Sequence, residues 1–82
     1  MPHYAPVLYV RLLCPRCARV RRAIRRLGVE VEQREVWLSR RHREELREAA
    51  GEVSVPCLVI SGTVVREADE IVRYLQLRYG AR

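Results

Sequence analysis

Val7-Leu8-Tyr9-Val10-Arg11-Leu12-Leu13-Cys14-Pro15-Arg16-Cys17 carries the chain from an apolar, β-branched run into a closely spaced pair of thiols, and the segment that follows has helical spacing. Two thiols separated by two residues at the start of a helix can close a small disulfide ring, which makes them a redox switch rather than a structural staple. Pro15 suits the first helical position, because its missing N–H has no partner to lose there and its fixed φ already matches the helix. Cys14 then falls at the cap, beside unsatisfied N–H groups and the positive end of the helix dipole. A thiolate is favoured over a thiol at that place, so the pKa of Cys14 is expected to fall below the free value of about 8.5. Cys14 is thus the expected nucleophile, and Cys17, one turn inside, is placed to resolve a mixed disulfide. The bland alternatives are a pair of incidental half-buried thiols or half of a zinc site, and no second pair of metal ligands accompanies the motif.

Working outward, residues 6 to 12 form a buried strand, with Arg11 as a lone charge near its end. From Pro15 to Leu27 the apolar positions Val20, Ala23, Ile24 and Leu27 recur at helical spacing while arginines fill the other faces, and Gly28 supplies a left-handed stop. Val29 to Val36 is a charged, β-branched strand near the sheet edge. Strand, helix and strand in this length imply a right-handed βαβ unit with parallel strands. Ser39 is the expected cap of a second helix from Arg40 to Ala50, with His42, Leu46, Ala49 and Ala50 on one stripe and Gly51 as its stop. Trp37, in the connection, is expected to close one end of the core. Val55 to Ile60 and Thr63 to Arg66, joined by Ser61-Gly62, read as a hairpin with Pro56 at the start of its first strand. A final helix from about Ala68 to Tyr79 has Ala68, Ile71, Val72, Leu75 and Tyr79 at helical spacing and ends at Gly80. The fold class is therefore α/β, ordered β-α-β-α-β-β-α, with a four-stranded mixed sheet and helices on both faces. Cys14 sits on the rim of that sheet where ligands commonly bind.

A length of 82 residues sets the expectation of a single domain over residues 1–82, burying roughly 60 to 65% of its unfolded surface. Three cysteines are an odd count, and Met1-Pro2-His3-Tyr4 opens no basic-then-apolar export signal, so a reducing cytoplasm is the expected home. No apolar run approaches the roughly 18 residues that span a bilayer, and no membrane partner is expected. The net charge of +6 invites nucleic acid as a partner, but all sixteen basic residues are Arg. That uniformity reads as a compositional preference rather than a phosphate-binding patch, and the arginines of the first helix read as a solvated face before a docking surface for an acidic protein. Nucleic acid is accordingly not expected. Cys57 is read as a core cysteine, His42 as packed or solvated, and Glu67, Asp69 and Glu70 have an adequate structural role in complementing the dipole of their own helix.

Cys14-Pro15-Arg16-Cys17 after a buried strand, combined with Val55-Pro56 at the start of a hairpin some forty residues later, resembles the glutaredoxins of the thioredoxin-fold superfamily. The resemblance covers nearly the whole chain, and the stretch Gly62-Thr63-Val64-Val65-Arg66-Glu67-Ala68-Asp69-Glu70-Ile71 is closer to the thiol-binding domain of glutathione transferases. It implies a thioredoxin-like fold and a thiol-disulfide oxidoreductase, with Cys14 and Cys17 catalytic and glutathione as cosubstrate rather than a tightly bound cofactor. It also implies a cis Val55-Pro56 bond facing Cys14, with the Val55 backbone pairing with the cysteinyl unit of glutathione. Arg11 matches a basic position near a glutathione carboxylate, and Glu67, Ala68 and Asp69 match the region that holds the γ-glutamyl end. Arg16 replaces the usual Tyr or Phe and adds positive charge beside Cys14, which favours the thiolate and acidic partners. Ala68 stands where glutathione-binding relatives often carry a hydroxyl or an acid, so another small thiol or a protein could be the donor. The implied partners are glutathione or another small thiol and disulfide-containing proteins. The alternative is a non-catalytic binding module of the same fold, carrying glutathione or an iron-sulfur cluster.

Overall fold

In a computed structural model, which describes residues 6–80, the chain runs β1 (Val7–Val10), α1 (Pro15–Leu27), β2 (Glu32–Glu35), α2 (Arg40–Ala50), β3 (Cys57–Ile60), β4 (Thr63–Arg66) and α3 (Ala68–Tyr79). The opening residues read above for an export signal lie outside the described residues. The four strands form one sheet in the order β2-β1-β3-β4. β1 and β2 pair in parallel, from Val7 opposite Glu32 to Val10 opposite Glu35, as a βαβ unit requires. β3 runs antiparallel to both β1 and β4. Ser61 and Gly62 both adopt positive φ, 46° and 84°, the backbone a two-residue hairpin with right-handed twist demands.

The alternation of side chains along the central strands builds two cores. Leu8, Val10 and Leu58 face α1 and α3 and pack with Cys14, Cys17, Val20, Ile24, Ala68, Ile71 and Leu75. Tyr9 and Cys57 point the other way and pack with Val36 and Leu46 beneath α2. Leu46 is the one fully enclosed residue of α2, and truncating such a side chain to Ala costs about 2–5 kcal/mol. Arg34 ties the same helix to the sheet edge, donating to Glu32 and Glu45 at 2.8 Å each. Gly28 and Gly51 end α1 and α2 at φ 69° and 86°, values glycine adopts without a Cβ penalty.

Several sequence expectations are corrected. β1 stops at Val10 rather than residue 12, because Leu13 takes φ 56° and turns the chain toward α1. β2 begins at Glu32 rather than Val29, since Val29 and Val31 pack on the α1 side of the core as part of the connection. Pro56 precedes β3 instead of starting it. Ala49 is exposed, so the buried stripe of α2 narrows to Leu46 with half-buried His42 and Ala50. Trp37 does not close the core: it is exposed, and the Arg11 guanidinium lies 5.6 Å from the centre of its ring. No helix among the described residues is long and apolar enough to cross a membrane.

Candidate active site

Cys14 is the cap of α1, with extended backbone at φ −115° and ψ 110° and Pro15 as the first helical residue. Its Sγ accepts the Cys17 N–H at 3.3 Å, so the sulfur satisfies one of the donors the first turn leaves open. The packing that orients it is apolar. Cys14 is 6% exposed and Cys17 is fully enclosed, both within the core formed by β1, α1 and α3.

Burial opposes ionisation of Cys14, but the Cys17 thiol, the Cys17 and Arg16 backbone N–H groups and the charge of Arg11 outweigh it, and the thiol pKa is held below its ordinary value. Cys17 goes the other way: burial, and then the proton it shares with the Cys14 sulfur, push it up to about 11. One sulfur is thus prepared to ionise and its neighbour to keep its proton. Cys57 lies in the core on the opposite face of the sheet, where burial raises its pKa.

The Val55-Pro56 bond is cis. Both residues line a cleft of about 170 Å³ together with Arg16, Ser54, Glu67 and Ala68. Val55 also packs on the core that holds Cys14 and Ala68, and it lies outside the ladder pairs of β3, which begin at Cys57. Five of the residues singled out from sequence, Arg16, Val55, Pro56, Glu67 and Ala68, are therefore brought to one cleft beside the thiol pair. Arg11, Cys14, Cys17 and Asp69 are not among its walls; the two thiols lie in the core behind it, where Cys14 packs with Val55 and Ala68. Arg11 stacks on Trp37, and Asp69 pairs with Arg19 across the α1–α3 contact.

Sequence reasoning missed three features. Glu52 and Arg66 complete the cleft wall and approach each other at 3.8 Å. Glu67, the cap of α3, has φ 72° and makes no side-chain cap hydrogen bond; a non-glycine residue in that region costs on the order of 1–3 kcal/mol. Glu35 accepts backbone N–H groups from Leu12, Trp37 and Leu38 at 3.1, 3.0 and 2.7 Å. Burial works against its charge, but these donors prevail and hold the carboxyl below its ordinary range. Only the last had a trace in the sequence: an acid at the end of a strand, in the approach to the helix cap Ser39.

A four-stranded mixed sheet with α1 and α3 on one face, α2 on the other, and a cis-proline cleft beside a cysteine-capped helix defines a thioredoxin-fold protein. Within that class the chain belongs to the family of the glutathione S-transferase N-terminal domain, which it matches over residues 8–82. Among solved structures, the glutathione S-transferase unclassified 2 from Bombyx mori superposes with a TM-score of 0.84 at 22% identity, over 95% of this chain and 37% of that one. A glutathione transferase homologue from Drosophila mojavensis, solved with bound glutathione, gives 0.78 at 23% identity, over 95% and 36%. A thioredoxin-like protein gives 0.77 at 26% identity, over 88% of this chain and 96% of that one. The chain spans a little over a third of the length of the transferases, at 36% and 37%, and nearly the whole of the thioredoxin-like protein. No curated protein matches it. Among the described residues no group of three or more His, Cys, Asp or Glu side chains is arranged to hold a metal ion.

Proposed function

We propose that residues 1–82 form one glutaredoxin-like domain that reduces protein or glutathione mixed disulfides in the cytoplasm, with glutathione or another small thiol as electron donor. The observation that carries this is the Cys14 sulfur capping its own helix by accepting the Cys17 N–H, with the Cys17 thiol enclosed one turn further on. The Cys14 thiolate attacks one sulfur of a target disulfide; the target S–S bond breaks, a Cys14–S–S–R bond forms, and the departing thiolate takes a proton from water. Cys14 then no longer bears negative charge, and Cys17 loses its proton and attacks the Cys14 sulfur. The second target thiol is released and the Cys14–Cys17 disulfide closes. Two molecules of the donor thiol restore the dithiol and leave as their own disulfide.

Family membership and the cleft support glutathione as that donor. Val55 offers backbone N–H and C=O groups to the cysteinyl unit, Pro56 shapes the wall, and Arg16 offers positive charge to a carboxylate. Glu67, Ala68 and Asp69 at the start of α3 would take the γ-glutamyl end through free N–H groups and a carboxylate. Arg11 acts on Cys14 through its charge. The test is reduction of hydroxyethyl disulfide coupled to glutathione and its reductase. Activity that depends on Cys14 supports the proposal, and full activity in Cys14→Ser removes the nucleophile.

A second reading, a non-catalytic glutathione-binding module, is favoured by the 6% exposure of Cys14. It requires that a soluble aromatic disulfide react no faster with the native protein than with a buried core thiol.

A further inference from the structure

We infer that Leu12, Leu13, Trp37 and Leu38 form a docking surface for an extended polypeptide segment, carrying aliphatic or aromatic side chains and an acidic residue beside its disulfide cysteine. The inference deepens the oxidoreductase reading and rests on it for the identity of the occupant. Four large apolar side chains lie together at the β1–α1 and β2–α2 connections with exposures of 42, 88, 54 and 79%. Such a cluster on an exposed rim marks an interaction site more often than a simple connection, which favours polar residues.

The two connections are joined by one carboxylate. Glu35 Oε2 accepts both the Leu12 and the Trp37 N–H, and Oε1 accepts the Leu38 N–H. Arg43 donates to the Val36 and Trp37 carbonyls at 2.9 Å each, and His42 Nδ1 lies 2.9 Å from the Glu35 carbonyl. Three polar side chains therefore hold the backbone while the apolar side chains point to solvent. Leu13 reaches its exposure through a φ of 56°, a conformation a leucine adopts only when its surroundings impose it. A surface already fixed before binding loses little freedom on binding.

The position of the patch selects the occupant. Leu13 immediately precedes the proposed nucleophile, so a polypeptide whose cysteine reaches Cys14 must lay its neighbouring residues over Leu13 at about 3.3 Å per residue. A small thiol has no such residues. Arg11 and Arg16 flank the Leu12–Leu13 pair, and neither forms an ion pair among the described residues. Their charges fit an acidic side chain on the occupant.

The experiment compares hydroxyethyl disulfide with two symmetric peptide disulfides, one flanked by Leu, Phe and Glu and the other by Ser, Gly and Glu. The wild-type protein is expected to reduce the apolar peptide with a kcat/KM about tenfold above the polar one. Leu13→Asn/Leu38→Gln, in which Asn accepts the left-handed backbone at position 13, should lose that preference and keep its activity on hydroxyethyl disulfide. No preference in the wild type, a preference that survives in the variant, or an equal loss on all three substrates overturns the docking surface. If the wild type reduces nothing, the oxidoreductase reading fails and the surface is judged by binding alone. Trp37 is the only tryptophan of the chain, so a blue shift of its emission with the S-methylated apolar peptide, absent with the polar peptide and in the variant, upholds the surface. No shift, or the same shift in the variant, overturns it.

Discussion

α1 and α3 pack against each other in one core, and residues at the start of each line the same cleft, yet their first turns are closed in opposite ways. α1 is capped by the Cys14 sulfur, has Pro15 at its first position and carries no acid in its first turn. α3 begins after a glutamate at φ 72° that makes no side-chain cap bond, and it places Asp69 and Glu70 in its first turn. The start of α1 is thus met by the protein's own sulfur, whereas the cap side chain of α3 closes no N–H of its first turn. α2 provides the ordinary case, with Ser39 Oγ accepting the His42 N–H at 3.2 Å. The two helix ends at this cleft therefore differ in the cap residue, in the proline at the first position and in the acids of the first turn, each of which changes the field at the helix start.

The sharpest way to break the contrast is Cys14→Ser. Serine is a better cap than cysteine, so the melting temperature should stay level or rise while hydroxyethyl disulfide reduction falls on the order of a thousandfold. A large drop in melting temperature with residual activity would mean that the sulfur serves packing and not chemistry.

The next effect is on stability at alkaline pH. Cys17 titrates at about 11 when folded against an ordinary 9.0, so the unfolded chain releases this proton first. Its contribution is complete below pH 9 and is lost as pH rises toward 11. Cys14 has the opposite sign, because its folded value is depressed: its contribution is present above the ordinary value and is lost as pH falls through the folded one. Denaturant titrations of the reduced protein should show stability declining between pH 9 and 11. Cys17→Ala should decline less, with the remainder from Cys57 and Tyr9, whose pKa values burial also raises. An identical decline in both proteins would contradict the asymmetry of the pair.

Glu67→Gly tests the other helix end. Glycine accepts φ 72° without a Cβ penalty, so stability should rise by about 1 kcal/mol. If the carboxylate holds the donor thiol, KM for glutathione should rise about tenfold, which corresponds to about 1.4 kcal/mol. Stability gained with KM unchanged would leave the strain at Glu67 without a role in binding.

Elements whose signals are local were legible in the sequence. Ser39, Gly28 and Gly51 mark helix ends through their own backbone and side-chain chemistry, and the spacing of Val20, Ala23 and Ile24 marks the buried face of α1. The thiol pair and Val55-Pro56 were visible as motifs, and the fold brings Arg16, Glu67 and Ala68 to the cleft that Val55-Pro56 lines. Trp37 was misplaced because its exposure depends on a carboxylate two residues away that also reaches Leu12, 23 positions earlier. No local pattern encodes such a clamp. Asp69 is similar: it falls in the expected segment, but its side chain goes to Arg19, 50 residues away. The left-handed backbone of Leu13 and Glu67 leaves no trace either, because neither residue type favours it.

The smallest expected effect concerns the link between the α1 end and the apolar rim. Arg11 lies over Trp37 and is the last of the influences that lower the Cys14 pKa, after burial and the hydrogen bonds to the sulfur. Both are interactions of an exposed cation, so each is screened by salt and worth little alone. Arg11→Gln keeps a polar chain of similar reach and removes the charge. Iodoacetamide alkylation of the reduced protein should shift its midpoint upward by less than about one unit, and the shift should shrink as ionic strength rises. The cap bond from the Cys17 N–H remains in this variant, so the thiol should still titrate below its ordinary value. A midpoint that returns fully to that value would make charge, not capping, the source of the reactivity, and the two helix ends would then differ by their neighbours rather than by their caps.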